Sequence, residues 1–190
     1  MSNFLTTTRK FIYDMIPVMI GVFLGFSLNN FAENKKLQKH LVNLDKMLQL
    51  EILNNQENIN HTYDYHAQLK KDLEVINKSD DIMKAVGAFQ FKGLRPGNID
   101  QSAFETGVQT GIIQEMEIHK VLNINKLYNL QKSYSSFNES MMSAILNKDF
   151  PQTKNETEKF VTSLIMNMND ELGFEGRLKK MYTEVLKEFE

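Results

Sequence analysis

Apolar residues run almost unbroken from Phe11 to Phe31 (FIYDMIPVMIGVFLGFSLNNF) and nowhere else along the 190-residue chain. Beyond Phe31 they recur every three or four residues, the period of one helix face. The first pattern predicts a helix surrounded by lipid, and the second predicts amphipathic helices in water. At about 1.5 Å rise per residue, the run spans roughly 31 Å, close to the hydrocarbon thickness of a bilayer. Asp14 and Pro17 fall in its first two turns, where headgroups tolerate them. Asn29 and Asn30, followed by Glu33, Lys35 and Lys36, mark the other interface. Arg9 and Lys10 precede the run as they would in a signal peptide, but Ser27-Leu28-Asn29 is a poor small-x-small cleavage site. A helix packed on the core of a domain this small would carry a polar face, which this window almost entirely lacks. The organisation expected is a short N-terminal tail (1–10), a transmembrane helix (11–31) and a helical domain (32–190).

Glu33 to about Asn77 reads as one long helix, with Leu37, Leu41, Leu44, Leu48, Ile52, Ile59, Tyr63, His66, Leu69, Leu73 and Ile76 on its seam. Asn55 and Gln56 interrupt that seam, which favours a bundle member over a coiled-coil stalk. Ser79-Asp80-Asp81 caps a short helix running to about Phe89, and Gly93, Pro96 and Gly97 place a loop over 90–98. Asp100 is positioned to cap the next helix, and Gly111 to end it in a left-handed conformation. A further helix is expected from Ile113 to about Asn147, with Ile118, Leu122, Leu127, Leu130, Tyr134, Phe137, Met141 and Ile145 inward. After a turn at Pro151, a helix starts at Thr153 or Asn155 with Phe160, Leu164, Ile165 and Met168 inward. Gly173 and Gly176 predict a break, and Arg177–Phe189 a last segment. No stretch alternates with period two, so the fold expected is all-α: one transmembrane helix continuing into an antiparallel bundle of long helices.

Composition narrows the chemistry. The chain has no cysteine, which excludes disulfides, thiolate metal sites and cysteine nucleophiles. A net charge of -2, with no basic patch interleaved with aromatics, gives no footprint for nucleic acid. No phosphate-binding loop, nucleophile elbow or dinucleotide fingerprint is present. Of the histidines His40, His61, His66 and His119, His61 and His66 are five apart and so on different helix faces, and His61 lies four residues after Glu57, a pair that reads as a solvated face. Met141, Met142, Met166 and Met168 read as core filling. No catalytic residue, cofactor or metal ligand is assigned, and an enzyme is not expected.

Two stretches resemble a family of uncharacterised single-pass membrane proteins of Bacteroidota. The first is Ile20-Gly21-Val22-Phe23-Leu24-Gly25 with Leu28-Asn29-Asn30-Phe31-Ala32-Glu33-Asn34-Lys35-Lys36. It is similar to that family's Ile-Gly-Ile and Ile-Asn-Asn-Trp anchor, with Phe31 where Trp is usual and Gly25 where Ala is usual. The second is Ser102-Ala103-Phe104-Glu105-Thr106 with Thr110-Gly111-Ile112-Ile113, and Tyr128 further on also fits. Together they cover about a quarter of the chain. The resemblance implies a bacterial inner-membrane protein with a periplasmic C-terminal domain, and it brings no assigned activity with it. The lysines after the anchor, counted by the positive-inside rule, do not favour a cytoplasmic tail.

The function expected is a membrane-anchored, non-enzymatic interaction protein, an accessory or stabilising subunit of a cell-envelope complex. Its partners would be the bilayer and other membrane subunits or further copies of itself. The alternative is a periplasmic small-molecule sensor acting through a partner's membrane helix, since the tail is too short for an output module. Gly21 and Gly25 form a GxxxG that lets membrane helices approach closely, and Asn29, Asn30 and Phe31 extend the candidate packing surface. Phe104, Glu105 and Thr106 are either cap, core and helix surface, or a contact for a partner or ligand.

Overall fold

The computed structural model describes residues 2–147 and 149–189, with backbone alone for 2–14. The side chains of Arg9, Lys10 and Asp14, on which the tail and the membrane entry were argued, lie outside the described residues. Every regular element among the described residues is helical: α1 (Ser2–Asn77), α2 (Ile82–Ala88), α3 (Ser102–Gln109), α4 (Ile118–Leu146) and α5 (Lys154–Leu186), with 3-10 turns at Ile112–Glu115 and Lys187–Phe189. The chain divides into two units, Met1–Asn43 and Leu44–Glu190.

In the first unit, α1 is long and apolar enough to cross a membrane, with a mean hydropathy of 1.6 in its most apolar window. None of that window is buried by the protein itself. Phe23, Phe26, Leu28 and Phe31 are each about 70% exposed. Pro17 sits inside the helix without ending it.

In the second unit, α1 contributes the seam its periodicity predicts. Leu44, Leu48, Ile52 and Ile59 enter one core cluster with Ile124, Leu127, Tyr134, Leu178 and Tyr182. Leu69, Leu73 and Ile76 enter a second with Ile82, Met141, Val161, Leu164 and Met168. Side-chain pairs give the helix directions. Gln131–Tyr182, Tyr134–Glu175 and Asn138–Glu171 advance along α4 and recede along α5. Asp45–Lys120 and Glu51–Tyr128 advance along α1 and α4 together.

Several helix ends follow local chemistry. Asp81 caps α2 by accepting from Lys84 N–H at 3.1 Å. Gly111, at φ 72°, follows α3 in the left-handed region and returns its N–H to Val108 O. Thr153 caps α5 in a reciprocal box with Glu156. Thr153→Ala should lower stability by about 1 kcal/mol, read as a drop in the unfolding midpoint of the full chain in detergent. The N-caps of α3 (Gln101) and α4 (Glu117) make no side-chain cap bond. Asp100 instead accepts from Ser102 N–H at 3.0 Å.

Three further sequence expectations are corrected. First, α4 begins at Ile118, five residues later than expected, because Ile112–Glu115 closes into a 3-10 turn. Its inward stripe is Ile124, Leu127, Tyr128, Gln131, Tyr134, Asn138 and Met141, which leaves Ile118 and Leu122 exposed. Second, Gly173 and Gly176 do not break α5, which runs through both. The roughly 1 kcal/mol that a glycine costs a helix is outweighed by the apolar packing around them, with Phe174 and Leu178 in the first core cluster. Third, Met166 is exposed, whereas Met141 and Met168 are in the core.

The loop 89–101 has no regular structure, yet side chains of α1 and α4 hold its backbone throughout. Tyr65 OH donates to Gly93 O at 2.6 Å, His66 Nε2 to Leu94 O, and Asn58 Nδ2 to Asn98 O at 3.2 Å. Gly97 N–H donates to Tyr134 OH at 3.0 Å. The Asn55 amide both donates to Asp100 O (2.7 Å) and accepts from Asp100 N–H (2.9 Å). Asn55 thus belongs to the seam that it was expected to interrupt. Gly97 has no room for a side chain, since a Cβ there would lie 2.8 Å from Ile59 Cδ1.

Candidate functional site

Two polar clusters are buried in the second unit, and α1 supplies the central residue of each. The first is built on Glu51, one helical turn before Asn55. Its carboxylate accepts from Ala103 N–H at 2.6 Å, Phe104 N–H at 3.4 Å and Ser102 Oγ at 3.2 Å, and from Tyr128 OH. Glu51 is therefore the cap of α3, delivered from another helix to N–H groups that have no partner of their own. Burial, together with the Glu51 carboxylate, holds the Tyr128 hydroxyl far above the ordinary phenol pKa, so it remains a donor.

The second cluster joins His66 of α1 to Glu171 and Glu175 of α5, all fully buried. Glu171 and Glu175 are one turn apart, so both carboxylates lie on the inward face of α5. His66 Nδ1 is 2.8 Å from Glu175 Oε1 and 3.9 Å from Glu171 Oε1. Tyr134 OH donates to Glu175 Oε1 at 3.1 Å. Asn138, with its NH2 turned inward, donates to both oxygens of Glu171 at 2.7 and 2.8 Å. Glu175 Oε2 is buried without a hydrogen-bond partner.

Electrostatics follow from that geometry. Burial, joined by the charge of Glu175, pushes the Glu171 pKa up to about 7, against the pull of His66, Tyr134 and Asn138. Burial opposes the charged form of His66, but the Glu175 carboxylate, the Leu94 carbonyl and Glu171 outweigh it and raise its pKa. The cluster can therefore hold protons, or a cation in their place.

The residues singled out from the sequence fall elsewhere. Gly21 and Gly25 have nothing within 4 Å of a would-be Cβ. Asn29 Nδ2 donates to Glu33 Oε1 at 2.9 Å, and Asn30 and Phe31 are exposed. Phe104 stacks on Tyr128 with centroids 4.0 Å apart and planes 11° apart. Thr106 Oγ1 donates to Ser102 O at 2.7 Å, and Glu105 is exposed. The Glu57–His61 pair lies on the surface at 3.8 Å. Sequence reasoning placed Tyr134 inward but missed Glu51, Asn138, Glu171 and Glu175. The only signal for them was a polar residue at a seam position, already visible in His66.

Comparison of the chain with protein-family models, with curated proteins and with solved structures finds no match.

Proposed function

We propose that this protein is a single-pass inner-membrane protein of the family that its anchor resembles, with its helical domain in the periplasm. Its role is non-enzymatic, as an accessory or stabilising subunit of a cell-envelope complex. The observation that carries the reading is the wholly uncovered apolar window of α1. Apolar area of that extent needs a bilayer or a partner helix around it. The two polar clusters support a non-enzymatic role, because they are buried and, Glu175 Oε2 apart, their carboxylates and imidazole are engaged by packed helices and the pinned loop. Gly21 and Gly25, open on the helix surface, are where a second membrane helix would approach.

The test is crosslinking in native membranes, followed by affinity purification and mass spectrometry. A specific partner, or a second copy, is expected. A monomer with no specific crosslink would overturn the reading. Gly21→Leu with Gly25→Leu should reduce the crosslinked species at least severalfold while the chain still fractionates with membranes. Unchanged crosslinking would reduce the helix to a tether.

One observation favours a ligand-sensing role as the second reading. A cavity of about 410 Å³ lies among Leu73, Ile76, Phe89, Phe91, Phe150 and Phe160, within the size range of small-molecule sites. Its lining is apolar, so it would suit an apolar molecule. Co-purification of a stoichiometric lipid or other apolar compound, lost in Leu73→Trp, would promote this reading over the first.

A further inference from the structure

The deciding detail of the His66 cluster is which ring nitrogen carries hydrogen. Nε2 faces the Leu94 carbonyl, and a carbonyl only accepts, so Nε2 is protonated. A neutral imidazole then turns the lone pair of Nδ1 toward two carboxylates, at 2.8 and 3.9 Å. Lone pair and carboxylates repel unless something positive lies between them. One proton on Nδ1 satisfies Glu175 Oε1 and leaves Glu175 Oε2 without a partner. It also leaves the buried cluster with a net negative charge while both carboxylates are ionised, an arrangement that interiors penalise heavily.

We infer that His66 Nδ1, Glu171 and Glu175 form a buried three-residue site for a divalent first-row transition-metal ion such as Zn²⁺ or Mn²⁺, with the unpartnered Glu175 Oε2 available as a further donor. The three donor atoms already lie within 4.8 Å of one another. One imidazole nitrogen with carboxylate oxygens, and no thiolate in the chain, is the donor set of this class of ion. Two carboxylates, a neutral imidazole and a dication sum to zero charge, which is what a fully buried site requires. The surroundings match what metal ligands need. The second nitrogen of His66 donates to a backbone carbonyl, Asn138 holds Glu171, and Tyr134 holds Glu175. Ligands about 2.1 Å from a tetrahedral ion sit about 3.4 Å apart, so from 2.8 and 3.9 Å His66 would have to separate from Glu175 and approach Glu171 by about half an ångström each. With every ligand fully buried, the ion would tie α1 to α5 rather than meet a substrate.

The test uses the full chain extracted in detergent without chelator. Elemental analysis should find a stoichiometric transition metal. Stripping it with a chelator should lower the unfolding temperature, and adding Zn²⁺ or Mn²⁺ should restore it. Glu171→Gln keeps the shape and should weaken binding by more than about tenfold, while His61→Ala with His119→Ala should leave binding unchanged. If the wild-type chain takes up neither ion and its unfolding temperature ignores both ion and chelator, the inference is overturned and protons hold the cluster. It is equally overturned if uptake survives Glu171→Gln and disappears in the His61/His119 variant. The wild-type measurements decide the matter even if a variant fails to fold.

Discussion

Glu51→Ala is expected to destabilise the chain by about 3 kcal/mol, among the largest effects of any single substitution in this fold. The carboxylate serves the Ala103 and Phe104 N–H groups, the Ser102 hydroxyl and the Tyr128 hydroxyl. Alanine leaves at least two buried donors unpaired, and each such donor costs about 1–3 kcal/mol. Glu51→Gln retains one acceptor oxygen, brings an NH2 toward existing donors, and should recover about half of the loss. Denaturant unfolding of the full chain in detergent measures both, with Tyr128→Phe as a companion. Because Tyr128 and Glu51 share one bond, the double variant should lose clearly less than the sum of the single ones. Full additivity would show that the bond contributes nothing.

His66→Leu should cost a similar amount, about 3 kcal/mol, measured with chelator present so that only the protein's own groups count. The substitution keeps much of the volume but removes the positive partner of two buried carboxylates, and breaking such a set by deleting one partner typically costs 3–5 kcal/mol. The lower end is expected because Glu171, pushed up to about 7, can take a proton at modest expense. Leu94 O also loses its donor, so hydrogen exchange should quicken in the loop 89–101 before it does in α4. A uniform change across the domain would instead point to general loss of packing.

The helices were legible because their signals are local. The seam of α1 from Leu44 to Ile76, the Asp81 and Thr153 caps and the left-handed Gly111 each depend on neighbours within a turn or two. What escaped depends on partners far along the chain. Glu51 meets α3 about fifty residues later, and His66 meets Glu175 across 109 positions. No periodicity encodes such meetings, so a polar residue on an apolar seam reads as an interruption until its partner is placed. The break expected at Gly173 and Gly176 failed for a related reason. Helix propensity is a weak local term, and packing on both sides of the glycines overrode it. Ile118 and Leu122 fit the period of α4 but lie off the stripe that its neighbours cover.

The pinned loop has a consequence for how this domain can vary in length. Connectors usually absorb insertions, because nothing counts their residues. Here Gly93, Leu94, Gly97, Asn98 and Asp100 are each matched to a particular side chain. One added residue between Leu94 and Gly97 would shift every later match, and Gly97 would no longer be the residue against Ile59. The segment without secondary structure is therefore the ruler of the domain, and length changes belong to the turn between α4 and α5.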